Sequence, residues 1–217
     1  MTEKGHHYIQ MLGERYLKLA PVLPDVEKVY TVLEETYAKG GKLMIAGNGG
    51  SCADSEHIVG ELMKSFILPR KIAPELRDKL CRISPKLGAA LGNALQQGLP
   101  AIALTGHNGL TTAYANDCNP EFVYAQQLLG FGKRGDCFLG ITTSGNSQNV
   151  LAAAVTAKAM GIRVIGLLGR DGGAMLPLCD AAVVVPETET FKIQELHLPV
   201  YHALCLELED HFFGNPR

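Results

Sequence analysis

Lys42-Leu-Met-Ile-Ala-Gly-Asn48-Gly49-Gly50-Ser51 runs directly into Cys52-Ala-Asp54-Ser-Glu56-His57-Ile-Val-Gly-Glu61-Leu62. An apolar run that breaks into Gly-Asn-Gly-Gly-Ser and resumes with helical spacing reads as strand, tight loop and helix. Backbone N–H groups and a hydroxyl then collect at a helix N-terminus, an arrangement that cradles phosphate. His57 and Glu61 stand at i and i+4, so an imidazole and a carboxylate share one face of that helix, one turn beyond the anion site. Such a pair suits proton transfer or metal binding.

Downstream, 100–106, 136–143, 163–169 and 181–186 are continuous apolar runs. Helical patterns separate them at 110–131, 147–161, 173–179 and 191–212. Strands apolar on both faces and alternating with helices predict a three-layer α/β/α sandwich of about five parallel strands, flavodoxin-like in its winding. Ligands in such sheets bind beyond the carboxyl ends of the strands, where the winding reverses. Two amphipathic patterns, 6–20 and 24–39, precede the first strand. They are expected either to cover an edge of their own sheet or to pack on another subunit.

The third strand ends in Thr142-Thr143-Ser144-Gly145-Asn146-Ser147. Four hydroxyls at a strand-to-helix junction form a second anion-binding turn, although Ser147 alone would serve as an ordinary helix cap. Neither loop has the G-x-x-x-x-G-K-[ST] or G-x-G-x-x-G spacing, which disfavours a nucleotide.

The 217 residues carry a formal net charge of −2, which gives no electrostatic footprint for nucleic acid or an anionic membrane. Six scattered cysteines without a C-x-x-C pair fit a reducing setting. The first residues lack an apolar leader pattern, and no apolar run approaches a membrane span, so a cytoplasmic, unprocessed protein is expected. One domain over 1–217 accounts for the length. Residues 65–98 interrupt the alternation between the first and second strands. With Lys64 they hold Arg70, Lys71, Arg77, Lys79, Arg82 and Lys86 against Glu75 and Asp78, a local excess of five positive charges. This insertion reads as a solvated outgrowth or as a flap beside the phosphate site.

In the last helical pattern His197 lies on an apolar stripe, which is ordinarily a packing position, and His202 follows it. Together Gly47-Asn48-Gly49-Gly50-Ser51, His57-x-x-x-Glu61, Ala115-Asn116-Asp117, Thr142–Ser147, Leu168-Gly-Arg-Asp-Gly-Gly173 and Ile193-Gln194-Glu195-x-His197 resemble the sugar isomerase (SIS) domain family. Within it, His57, Glu61, Gln194 and His202 resemble the phosphoheptose isomerase branch. The resemblance implies that Ser51, Thr142, Thr143, Ser144 and Ser147 hold a sugar phosphate beside Gly49 and Gly50. It also implies that Asn48, Asn116, Asp117 and Gln194 touch the sugar. Glu61 and His202 would be base and acid, and His57, Glu61, Gln194 and His202 would bind zinc, with occupancy limited by the weak amide ligand. A metal-bound carboxylate is a weaker base, so the two duties of Glu61 oppose each other.

The implied reaction interconverts sedoheptulose 7-phosphate and D-glycero-D-manno-heptose 7-phosphate in a homotetramer with sites at subunit interfaces. The alternative is a non-catalytic SIS protein that binds a phosphosugar or a replication initiator; a lyase or deaminase ranks third. Gln194 and His202 stand about 12 Å apart along a helix and about 80° around it. To share one metal, Gln194 must sit at a loosened helix start or one of the two must serve a neighbouring subunit. Two features depart from the branch. Phe191-Lys192 stands where an acidic-basic pair is usual, and the 65–98 insertion is absent from the short isomerases.

Overall fold

The computed structural model describes residues 6–214. In chain order the elements are α1 (His7–Arg15), α2 (Leu23–Ala38), β1 (Leu43–Gly47), α3 (Gly50–Met63), α4 (Pro74–Ile83) and α5 (Pro85–Ala94). They continue with β2 (Ala101–Ala103), α6 (Asn108–Asp117), α7 (Val123–Phe131), β3 (Cys137–Thr142), α8 (Gln148–Ala159), β4 (Arg163–Leu168), β5 (Ala181–Val184) and α9 (Thr190–Phe213). The five strands are all parallel, in the order β2-β1-β3-β4-β5. The winding therefore reverses between β1 and β3, and every strand ends on the same edge of the sheet.

Successive strand residues point to opposite faces, and here both faces are covered. Leu43 and Ile45 of β1 join one core with Leu33, Leu62, Val183, Val200 and Leu208. Met44 and Ala46 join another with Leu128, Phe138, Val150, Val164 and Met175. Each of the larger side chains contributes about 1.5–3 kcal/mol by leaving water. This two-sided burial is why the strands read as unbroken apolar runs.

The N-terminal helices α1 and α2 lie in the first of these cores, through Ile9, Leu12, Val26, Val29 and Leu33. Buried Glu207 of α9 fixes the start of α1 by accepting the N–H groups of Tyr8 at 2.9 Å and Ile9 at 3.4 Å. Of the two expected placements, the chain itself supplies cover for its own sheet. The pattern at 110–131 is two helices, because Asn119-Pro120 breaks it into a 3-10 turn whose Asn119 side chain accepts from Glu121 N at 2.8 Å. The pattern at 173–179 is likewise a 3-10 segment, Gly173–Leu178, with Pro177 inside it.

The insertion carries α4 and α5, which pack chiefly on each other and bury only Gly88. Its base is closed by an antiparallel bridge between Lys71 and Gln96. One of its seven cations is no surface charge: Arg70 has no exposed side-chain area and pairs with the equally buried Glu209 of α9 at 2.7 Å. The basic excess available to a ligand is smaller than the sequence count. Among the described residues, no helix is long and apolar enough to cross a membrane.

Candidate functional site

The loops after β1 and β3 meet where the winding reverses. Gly49 has φ +58°, a conformation open to glycine, and stands immediately before α3. Gly50 follows, and a Cβ there would lie 2.6 Å from Gln194 Nε2, so this glycine lets α9 approach the loop. Across the gap, Gly145 has φ +67° and no room for a Cβ against the Gly172 carbonyl. Asn48, Gly49, Gly50, Ser51, Thr142, Thr143, Ser147 and Gln194, with Thr190 and Ile141, line one cavity of about 330 Å³. That is the lower end of the volume that holds a small ligand. Ser147 begins α8 without capping it; its hydroxyl lies 2.9 Å from that of Thr142. The N-termini of α3 and α8 and the first turn of α9 therefore surround the cavity, and helix N-termini favour an anion.

Asn48 is already engaged. It exchanges two amide hydrogen bonds with Asn149, at 2.8 and 2.9 Å, and its backbone neighbour Gly47 accepts from the buried Tyr124 hydroxyl at 2.9 Å. This lattice holds the loop rigid between β1 and α8. Tyr124 and Asn149 were not singled out from sequence, where each reads as an ordinary helix residue.

A second cluster lies further along α3 and α9. His57 Nε2 and Glu61 Oε1 are 3.3 Å apart, and Lys64 Nζ approaches the other Glu61 oxygen at 3.2 Å. The His57 and His202 rings meet edge to face with centroids 5.0 Å apart, and Phe66 from the insertion flanks His202 at 5.5 Å. His202 Nε2 is buried without a hydrogen-bond partner. Burial lowers the His202 pKa, the neighbouring His57 lowers it further, and Glu61 opposes both. Tyr201 was also missed from sequence. Its hydroxyl lies 2.9 Å from His57 Nδ1 and 3.2 Å from Asp54 Oδ1. Burial, then the Asp54 charge, push its pKa upward and keep the hydroxyl protonated.

The four residues implied as zinc ligands are not brought together. Gly50 faces Gln194 and His57 faces Tyr201, so α3 and α9 run parallel and Gln194 lies about 10 Å of helical rise before the histidine cluster. Gln194 sits within the regular helix α9, not at a loosened start. Two imidazoles and a carboxylate are suitable zinc donors, and the orphaned His202 Nε2 suits a ligand role. Yet among the described residues no three His, Cys, Asp or Glu side chains form a group that could hold a metal ion as they stand.

Other expected residues lie elsewhere. Ser144 lines a neighbouring pocket with Asn146, Arg170, Asp171 and Thr188. Asn116 and Asp117 are exposed on α6, hydrogen-bonded to each other at 2.8 Å, and do not line the hydroxyl cavity. His197 is fully buried with Nε2 3.1 Å from the Leu168 carbonyl, a packing role, and burial lowers its pKa to about 4.

A family model described as the SIS domain matches residues 83–169. Phosphoheptose isomerase from Aneurinibacillus thermoaerophilus is 38% identical over 190 residues, covering 88% of this chain and 83% of that protein. The phosphoheptose isomerase of Akkermansia muciniphila is 33% identical over 214 residues, covering 99% and 100%. Among solved structures, the phosphoheptose isomerase of Francisella tularensis superposes with a TM-score of 0.74 at 27% identity, covering 97% of this chain and 100% of that one. That of Neisseria gonorrhoeae gives 0.72 at 27% identity, covering 94% and 95%.

Proposed function

The chain belongs to the phosphoheptose isomerase family of SIS-domain proteins, and on that premise we propose that it interconverts sedoheptulose 7-phosphate and D-glycero-D-manno-heptose 7-phosphate. The observation that carries the reading is the pairing of a hydroxyl-lined anion cavity with the Glu61–His57–His202 cluster on the same two helices, α3 and α9.

Ser51, Thr142, Thr143 and Ser147 bind the phosphate, with the N-termini of α3 and α8 favouring its charge. Glu61 removes the proton from C1 of the ketose while His202 supplies one to the C2 oxygen, giving the enediol. Glu61 then returns its proton to C2, and His202 takes one from the C1 hydroxyl, so the aldose forms without net gain or loss of protons. The lowered His202 pKa makes its imidazolium the stronger proton donor that the first step uses. Phe66 covers His202 and limits its contact with water. His57, Glu61 and His202 would hold zinc only after drawing closer together than they stand, and the metal would then supply polarisation of the substrate carbonyl. Gln194 belongs with the phosphate cavity in this reading.

A cytoplasmic homotetramer is part of the proposal. The non-catalytic alternative is not favoured, because a binding protein has no need for the Glu61 and His202 side chains gathered at His57.

Incubation of the protein with sedoheptulose 7-phosphate, followed by NMR of the sugar carbons, tests the reading. Appearance of an aldoheptose 7-phosphate supports it. Unchanged ketose with and without added zinc contradicts it.

A further inference from the structure

We infer that Tyr201, oriented by Asp54, is a positioning residue that fixes the His57 imidazole with its proton on Nδ1 and the lone pair of Nε2 turned to Glu61. The argument is one of hydrogen-bond bookkeeping. The Tyr201 hydroxyl has one proton and two near partners, Asp54 Oδ1 at 3.2 Å and His57 Nδ1 at 2.9 Å. An ionised carboxylate only accepts, so the hydroxyl proton goes to Asp54. The hydroxyl oxygen is then left to accept, which draws the ring proton to Nδ1 against the pull of the Glu61 carboxylate on a proton at Nε2. In a neutral ring the other nitrogen, Nε2, keeps its lone pair. That nitrogen faces Glu61 Oε1 at 3.3 Å.

The ring is held from its flat side as well. Tyr201 packs edge to face on both histidines, with centroids 5.5 Å from His57 and 5.0 Å from His202. Tyr201 is 2% exposed and belongs to the core, so its position is set by packing and not by the site it serves. Asp54, His57 and Glu61 follow one another at three- and four-residue intervals on α3, so one helix face presents the whole series. The consequence is an Nε2 electron pair beside the Glu61 carboxylate, available to a proton donor or a cation. Outer groups that orient a histidine in this way commonly change activity or metal affinity by about 10- to 100-fold when removed.

The inference rests on the isomerase reading for its kinetic consequence, and its structural part is tested without substrate. Protein labelled with ¹⁵N at histidine, free of metal and at a pH where the ring is neutral, gives the His57 tautomer by long-range ¹H–¹⁵N correlation, assigned with His57→Asn. The expected result is protonated Nδ1 in the parent and a shift toward protonated Nε2 in Tyr201→Phe, which keeps the ring and its packing. Asp54→Ala frees the Tyr201 hydroxyl to donate to Nδ1 and should move the tautomer the same way with Tyr201 still present. In turnover, Tyr201→Phe should lower kcat by about 10- to 100-fold with KM within about twofold of the parent. A parent ring protonated on Nε2, or a tautomer unmoved in Tyr201→Phe, overturns the assignment. An inactive parent whose tautomer shifts as described upholds it and overturns only the reaction.

Discussion

Arg70 and Glu209 meet at 2.7 Å with both side chains wholly out of solvent. Glu209 also accepts the N–H groups of Phe66, Ile67 and Leu68 at 2.8, 2.9 and 3.1 Å. Arg70 donates to the carbonyls of Leu62 and Glu61 at 2.7 and 3.1 Å, and its guanidinium stacks on Phe213. The pair thus ties the end of the helix that carries Glu61 to the helix that carries His202, and it sets Phe66 over the site. Burial works to raise the Glu209 pKa, but the three N–H groups and Arg70 outweigh it and hold the carboxyl below its ordinary value.

Glu209→Gln leaves the guanidinium buried without its counter-charge, which costs about 3–5 kcal/mol. Thermal unfolding should fall by on the order of 10 °C for a chain of this length. Arg70→Met with Glu209→Leu removes both charges and should recover part of that loss. A Glu209→Gln protein that melts with the parent would show the pair to be dispensable.

His197 makes stability depend on pH. Its pKa is 6.5 ordinarily and about 4 in the fold, because burial disfavours the imidazolium and the bond to the Leu168 carbonyl only partly opposes this. Between these values the unfolded chain binds the proton and the folded chain does not, so stability falls as pH falls from 6.5 to 4. The loss is about 2 kcal/mol by pH 5 and about 3 kcal/mol in full. Urea unfolding at pH 7 and pH 5 should show this slope in the parent and less of it in His197→Gln. Equal slopes would mean that His197 titrates normally.

The α4–α5 hairpin buries only Gly88, and Ile83 and Leu87 are 84% and 59% exposed. Replacing 74–94 by a short Gly-Ser link, with Arg70, Lys71, Gln96 and Gln97 retained, should leave unfolding and KM close to the parent. If KM rises and loses salt dependence instead, Arg77, Lys79, Arg82 and Lys86 attract the phosphate and the hairpin is a flap. Light scattering on the same variant shows whether it belongs to an assembly.

The sequence pattern carried the sheet, because two-sided burial demands unbroken apolar strands such as Leu43–Gly47 and Cys137–Thr142. It also carried the hydroxyl-lined cavity, since Gly49 and Gly145 have positive φ and the hydroxyls lie in the same loops. Helix periodicity placed His57 beside Glu61. What it could not carry was pairing between distant helices. Tyr201 and Arg70 read as an aromatic in a core stripe and as one cation among seven until α9 is laid beside α3. The regular helix α9 keeps Gln194 apart from His202, where local spacing had left open a loosened helix start that would bring them to one metal. Ser144 and Asn116 carry family-like neighbours, yet Ser144 lines the adjoining pocket and Asn116 is exposed on α6, outside the cavity.

The central claim is that Glu61 moves a proton between adjacent carbons of a heptulose phosphate. The most direct measurement is deuterium incorporation from deuterated water into sedoheptulose 7-phosphate and its product, followed by NMR for the parent and for Glu61→Gln. The account predicts carbon-bound deuterium and isomerisation in the parent, and a rate lower by about 10²–10⁴ in Glu61→Gln, where the amide keeps the volume but cannot act as base. Deuterium appearing at the parental rate in Glu61→Gln, or no exchange in the parent with or without zinc, would contradict it.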